Sequence, residues 1–90
     1  MSAAATIKDI LADDIFVELP VADMGEEDSL RDDFGLDSVG FVELRVQCQN
    51  RFGITIDDQD FTPENFATIR SVSELVERLL RSGSAASTTV

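Results

Sequence analysis

Ser38-Val39-Gly40-Phe41-Val42-Glu43-Leu44-Arg45-Val46-Gln47-Cys48-Gln49-Asn50-Arg51-Phe52 is the stretch whose periodicity decides the fold. At about 100° per residue, Phe41, Leu44, Cys48 and Phe52 fall within roughly an 80° arc, the spacing of one helix face. Val39, Val42 and Val46 gather on nearly the opposite side, within about 60°. A helix is therefore expected from Asp37 or Ser38 to Phe52, with Gly53 as its left-handed stop. A bundle helix needs one apolar face, so two opposed faces mean full burial or an exposed stripe. Ninety residues are too few to bury a helix all round, and Glu43 and Asn50 flank the valines. The stripe is expected at the surface. Single exposed valines are ordinary, but a contiguous stripe marks a partner site.

Outward from this helix the chain reads as helices and loops. A first helix is expected over residues 6–17, opened by a capping box at Thr6-Ile7-Lys8-Asp9 and ended ahead of Pro20. Residues 20–37 follow without long periodicity, more than the usual ~12–15 of an unstructured connection. Leu30 and Phe34 stand four apart behind Ser29, so a helical turn is expected to pin this loop, with Gly35 bending the chain before Ser38. Ile54-Thr55-Ile56 is extended but too short to make a sheet. Thr62-Pro63-Glu64-Asn65 reads as cap plus first-turn proline, opening a short third helix over 62–67. Ser71-Val72-Ser73-Glu74 is a second capping box, and Val72, Leu75, Val76, Leu79 and Leu80 predict a fourth helix over 72–81. Residues 82–90 have nothing to bury and are expected to be disordered. The expected fold is all-α: a small four-helix bundle with a long first loop and a short third helix, forming one domain over residues 1–81.

Composition narrows the function. Eighteen acids against seven bases leave a net charge of −11. Residues 9–37 hold eleven of those acids and only Arg31 among bases. Such a surface repels nucleic acid and attracts basic protein faces. With no His, Tyr or Trp and one Cys, no Ser–His or Cys–His dyad, no disulfide and no ordinary zinc site can be built. Nothing approaches the ~20 apolar residues of a membrane span, and residues 1–5 do not read as a signal peptide. A soluble, monomeric, cytoplasmic protein is expected. Asp57, Asp58 and Asp60 lack the loop pattern of an EF-hand and read as a solvated acidic face, so no metal is expected. Cys48 lies on the core stripe and reads as a small buried hydrophobe.

Ser38 opens the central helix beside the valine stripe. Read alone, it is an N-cap. Gly40 lowers helix propensity by ~0.8–1 kcal/mol relative to Ala, and its small profile would let another surface approach the Ser38 hydroxyl. Three classes are open on the residues themselves. They are a covalent carrier, an acidic helical adaptor without a prosthetic group, and an enzyme working with carboxylates alone.

Taken together, Asp32-Asp33-Phe34-Gly35-Leu36-Asp37-Ser38-Val39 and Phe41-Val42-Glu43-Leu44-Arg45 resemble the prosthetic-group site of acyl carrier proteins. The likeness continues through Arg51-Phe52-Gly53-Ile54 and Phe61-Thr62-Pro63-Glu64-Asn65-Phe66 to Ser71-Val72, and covers about residues 5–80. It implies that Ser38 carries 4′-phosphopantetheine, delivered from coenzyme A by a phosphopantetheinyl transferase, with Asp37 part of the attachment motif. The arm's thiol would hold acyl groups as thioesters. Val39, Val42, Glu43 and Val46 match family positions that meet partner enzymes: an acyltransferase, a ketosynthase or an acyl-activating ligase with a basic docking face. Val39 replaces the family's usual Leu, and Gly40 is smaller than the common residue. Gly35-Leu36-Asp37-Ser38 with Val42-Glu43-Leu44-Arg45 resembles polyketide-type carriers. Peptidyl carriers usually show Gly-Gly-His-Ser or Gly-Gly-Asp-Ser. A free-standing, non-catalytic carrier of a specialised-metabolite pathway is expected, ahead of a peptidyl or aminoacyl carrier or the housekeeping fatty-acid carrier.

Overall fold

Among the described residues three α-helices carry the architecture: α1 (Ala4–Asp13), α2 (Ser38–Phe52) and α3 (Ile69–Ala86), with a 3-10 turn at Val21–Asp23. The computed structural model describes residues 3–86, with side chains described through residue 81. Ile7, Ile10 and Leu11 of α1, Leu44 and Cys48 of α2, and Ile69, Val72, Leu75 and Val76 of α3 are fully buried against one another. Loop residues join this core: Leu30 and Ile56 are fully buried, and Met24, Phe34, Leu36 and Phe66 are buried beside them. The all-helical class stands, but among the described residues the expected short third helix does not form.

That missing helix is the stretch 62–67, which closes a single turn. The Thr62 hydroxyl accepts from Asn65 N–H at 3.1 Å and the Thr62 carbonyl accepts from Phe66 N–H at 3.0 Å. The turn cannot propagate, because the Ala67 carbonyl accepts from Leu30 N–H at 2.9 Å and Thr68 pairs with Ser29 in an antiparallel bridge. A helix nucleus needs further turns to repay its ordering, and the long loop takes the groups that would make them.

The outer helices differ from expectation at their ends. Helix α1 begins earlier and stops sooner than 6–17, and the Thr6–Asp9 capping box does not form because Thr6 already lies inside the helix. Its start is capped from a distance: Ala3 N–H donates to Glu77 Oε2 on α3 at 3.0 Å. Its end carries Asp13 and Asp14, charges opposed by the helix dipole. Asp14 is held there by Arg51 from the end of α2, at 2.9 Å. Helix α3 starts ahead of the expected Ser71–Glu74 box. The box is instead reciprocal between Thr68 and Ser71, each side-chain oxygen accepting from the other's N–H at 3.0 Å. Its backbone stays helical to Ala86, past the expected end at Arg81; the remainder of the expected tail, residues 87–90, lies outside the described residues.

Helix α2 occupies the expected residues, and Gly53 ends it at φ 67°. The loop before it is pinned as expected. Ser29 Oγ accepts from Asp32 N–H, while Asp33 Oδ2 accepts from Ser29 N–H at 2.8 Å, folding a turn that buries Leu30 and Phe34. Gly35 then turns at φ 76°, and Leu36 is buried two residues before Ser38.

Candidate functional site

Burial of Leu36 on one side and Leu44 on the other leaves the first turn of α2 held at the surface by anchors close on either side. Asp37 makes that turn stable: its Oδ1 accepts from Gly40 N–H at 2.9 Å, so Asp37 is the N-cap. Ser38 is the first helical residue. Its side chain is exposed and enters no hydrogen bond among the described residues, so reading Ser38 as the cap is corrected. The division is chemical as well as structural. The carboxylate organises the backbone, and the hydroxyl is left available.

Gly40 also has a packing reason within the chain. A Cβ at this position would lie 3.2 Å from Leu36 Cγ and 3.5 Å from Asp37 Oδ1. The missing side chain makes room for the loop to tuck against the helix.

The two faces of α2 separate as their spacing requires. Leu44 and Cys48 are fully buried, with Phe41 and Phe52 half-buried beside them. Val39, Val42 and Val46 stand 76 %, 50 % and 39 % exposed. Glu43, between them, accepts from Gln47 Nε2 at 2.8 Å, one turn on. Burial pushes the Cys48 thiol up to about 12, so it stays protonated. Of the three aspartates after α2, Asp58 pairs with Arg45 at 3.0 Å and Asp60 faces Arg78 at 3.9 Å.

Two grooves flank the Ser38 turn. One, about 590 Å³, is lined by Ser38, Phe41 and Val42 on α2 and by Phe61, Pro63 and Phe66 from the 62–67 turn. Phe61 and Phe66 meet edge to face with centroids 4.9 Å apart, and the Arg45 guanidinium sits 5.0 Å from the Phe61 centroid. The other, about 980 Å³, runs between the segment after α1 and the Val39 side of α2. The sequence placed Phe66 on an expected helix and both Phe61 and Phe66 within the family resemblance, but not beside Ser38, and said nothing specific of Phe16, which lines the second groove. No periodicity links these residues to Ser38; the loop crossings bring them there.

A serine oxygen at a helix N-terminus suits a phosphodiester, because the dipole and the unpaired first-turn N–H groups favour an anion. The Ser38 turn thus fits a phosphate-linked group on the side-chain oxygen. Residues 5–79 match the family described as the phosphopantetheine attachment site. Among curated proteins, the chain is 35 % identical over 78 residues to an acyl carrier protein of Desulforapulum autotrophicum, covering 87 % of this chain and 97 % of that protein. It is 38 % identical over 79 residues to a D-alanyl carrier protein of Streptococcus gordonii, covering 88 % and 96 %. An aminoacyl carrier protein 2 of Bradyrhizobium diazoefficiens matches at 35 % over 52 residues, 58 % of either chain. A family match spanning most of the three-helix domain leaves neither the adaptor nor the enzyme reading standing: this chain belongs to the acyl carrier proteins, which bear 4′-phosphopantetheine and serve other enzymes as substrates without catalysis of their own.

Proposed function

We propose that Ser38 is the attachment point and that the chain delivers acyl groups within a polyketide-type or related specialised-metabolite pathway. The observation that carries the site assignment is the uncommitted, exposed Ser38 hydroxyl beside a cap supplied by Asp37. In the loading step the Ser38 oxygen would attack the pyrophosphate of coenzyme A, lose its proton, and displace adenosine 3′,5′-bisphosphate. The attached arm supplies a thiol that holds acyl groups as thioesters. The chain's own residues supply placement. Asp37 holds the first turn, and Val39, Val42, Glu43 and Val46 offer an apolar, acid-edged surface to basic docking faces. The partners are then a phosphopantetheinyl transferase and an acyltransferase, ketosynthase or acyl-activating ligase. We place this activity in the cytoplasm, with residues 1–81 as a monomeric carrier unit.

Intact mass after incubation with coenzyme A and a broad-specificity phosphopantetheinyl transferase tests the assignment. One addition is expected on the wild type and none on Ser38→Ala; an addition retained by that variant would remove Ser38 from the site. The pathway rests on the Gly35-Leu36-Asp37-Ser38 and Val42–Arg45 resemblance. The names of the D-alanyl and aminoacyl relatives favour a second reading, in which the cargo is an amino acid. Loading of the modified protein by an amino-acid-activating ligase but not by acyltransferases would decide for it.

A further inference from the structure

Among the described residues, the two most exposed large apolar side chains are Phe16, at 77 %, and Val39, at 76 %. They come from different elements, yet both line the 980 Å³ groove between the segment after α1 and the start of α2. We propose that this groove is a docking face for a basic amphipathic segment of a partner protein, and that Phe16 is its specificity-determining residue. The proposal deepens the carrier reading and rests on it for the identity of the partners as enzymes that engage the carrier.

The segment after α1 is built to turn Phe16 outward. Ile15, Val17 and Leu19 are half-buried against the core, whereas Phe16 and Glu18 between them are exposed. Phe16 has φ 64°, and is the non-glycine residue with positive φ in the described chain. That conformation disfavours L side chains with a bulky Cβ, and Asn or Gly adopts it at lower cost. The ring therefore neither fills the core nor suits its backbone. What it does supply is an exposed apolar wall to the open groove that Val39 also lines.

The rim states what can enter. Glu18, Asp32, Asp37 and Glu43 contribute carboxylates, and no Lys or Arg lines the groove. Asp14, at its far end, is already paired with Arg51. A nucleic acid or an anionic lipid surface would be repelled. A second copy of the chain would bring the same carboxylates against themselves. An apolar side chain flanked by arginines or lysines meets both the walls and the rim.

The test titrates the full-length, isotope-labelled chain with a synthetic amphipathic helical peptide, leucine and phenylalanine on one face and arginine on the other. A second peptide keeps every arginine and replaces the apolar face with serine. The first peptide should shift the amide resonances of residues 15–19, Val39 and Gly40, and the second should not localise there. Phe16→Asn leaves charge unchanged and accepts the left-handed backbone. It should weaken binding about tenfold while the melting temperature holds or rises. Unchanged affinity of Phe16→Asn, shifts confined to Val42 and Val46, self-association through this face, or a sharply lowered melting temperature would each overturn the proposal. The transferase reaction run in parallel keeps the two readings apart. A wild type that gains no prosthetic group would remove the carrier assignment while leaving the peptide result intact.

Discussion

Adjacent residues in Asp37-Ser38 have opposite fates because one oxygen is used by the backbone and the other is not. Removing the Asp37 side chain should cost about 0.5–2 kcal/mol, the usual worth of an N-cap, and fray the start of α2. Ser38→Ala should melt within a few tenths of a kcal/mol of the wild type, since it deletes an exposed, unbonded hydroxyl. Urea titrations of both variants check the order; a larger loss for Ser38→Ala would show that Ser38 caps after all. Cys48 supports a second prediction at this scale. Burial raises its folded value to about 12 from 9.0, so above about pH 9 the unfolded chain loses a proton that the folded chain keeps. The contribution is fully present below pH 9 and is lost as pH rises toward 12. With no tyrosine and a single lysine in the chain, few other groups titrate in that window. Urea midpoints should fall from about pH 8 to about pH 10.5, and the fall should shrink in Cys48→Ala, whatever its lower baseline.

Helix α2 is the element on which core and surface are easiest to separate. Val42→Asp should change stability by less than about 0.5–1 kcal/mol, because the side chain is half exposed beside Glu43. Cys48→Asp places a charge at a fully buried position and should unfold the domain, a cost of several kcal/mol. Thermal melts compare the pair. Docking and acyl loading of the folded Val42→Asp protein should also fall, since a charge replaces an apolar contact in the proposed partner surface. A Val42→Asp protein that melts early and turns over normally would put the core on the wrong face. Periodicity could assign these faces because fifteen residues of one helix sample every direction around its axis. It could not assign the helix ends. Thr6–Asp9 and Ser71–Glu74 both satisfy the capping pattern, but Glu77 reaches α1 from another helix and Thr68 claims Ser71 first.

Across the whole molecule the charge is lopsided, and only part of it is paired. Residues 9–37 hold eleven acids, of which Asp14, Glu26 and Glu27 meet Arg51, Lys8 and Arg70. Exposed pairs of this kind contribute little, so screening them costs less than screening the repulsion stabilises. The melting temperature should therefore rise as NaCl goes from about 0.01 M to about 0.3 M, where the Debye length falls from about 30 Å to well under 10 Å. Differential scanning calorimetry at several salt concentrations measures this. A flat or falling series would mean that the few ion pairs outweigh the repulsion.

The sequence alone determined the helical class, the bounds and two faces of α2, the turn behind Ser29, and the resemblance that singles out Ser38. The faces, bounds and turn are local or periodic information, and the resemblance is a pattern of residue types along the chain. Tertiary structure alone decided the rest. It withheld the 62–67 helix, because the loop's Leu30 and Ser29 take its following residues. It gave the cap to Asp37 and the space beside Gly40 to Leu36. It also brought Phe16 and Val39 to the lining of one groove. Competition between distant partners for the same backbone group or the same volume leaves no periodic trace in a single chain, so those outcomes appear only once the chain has closed on itself.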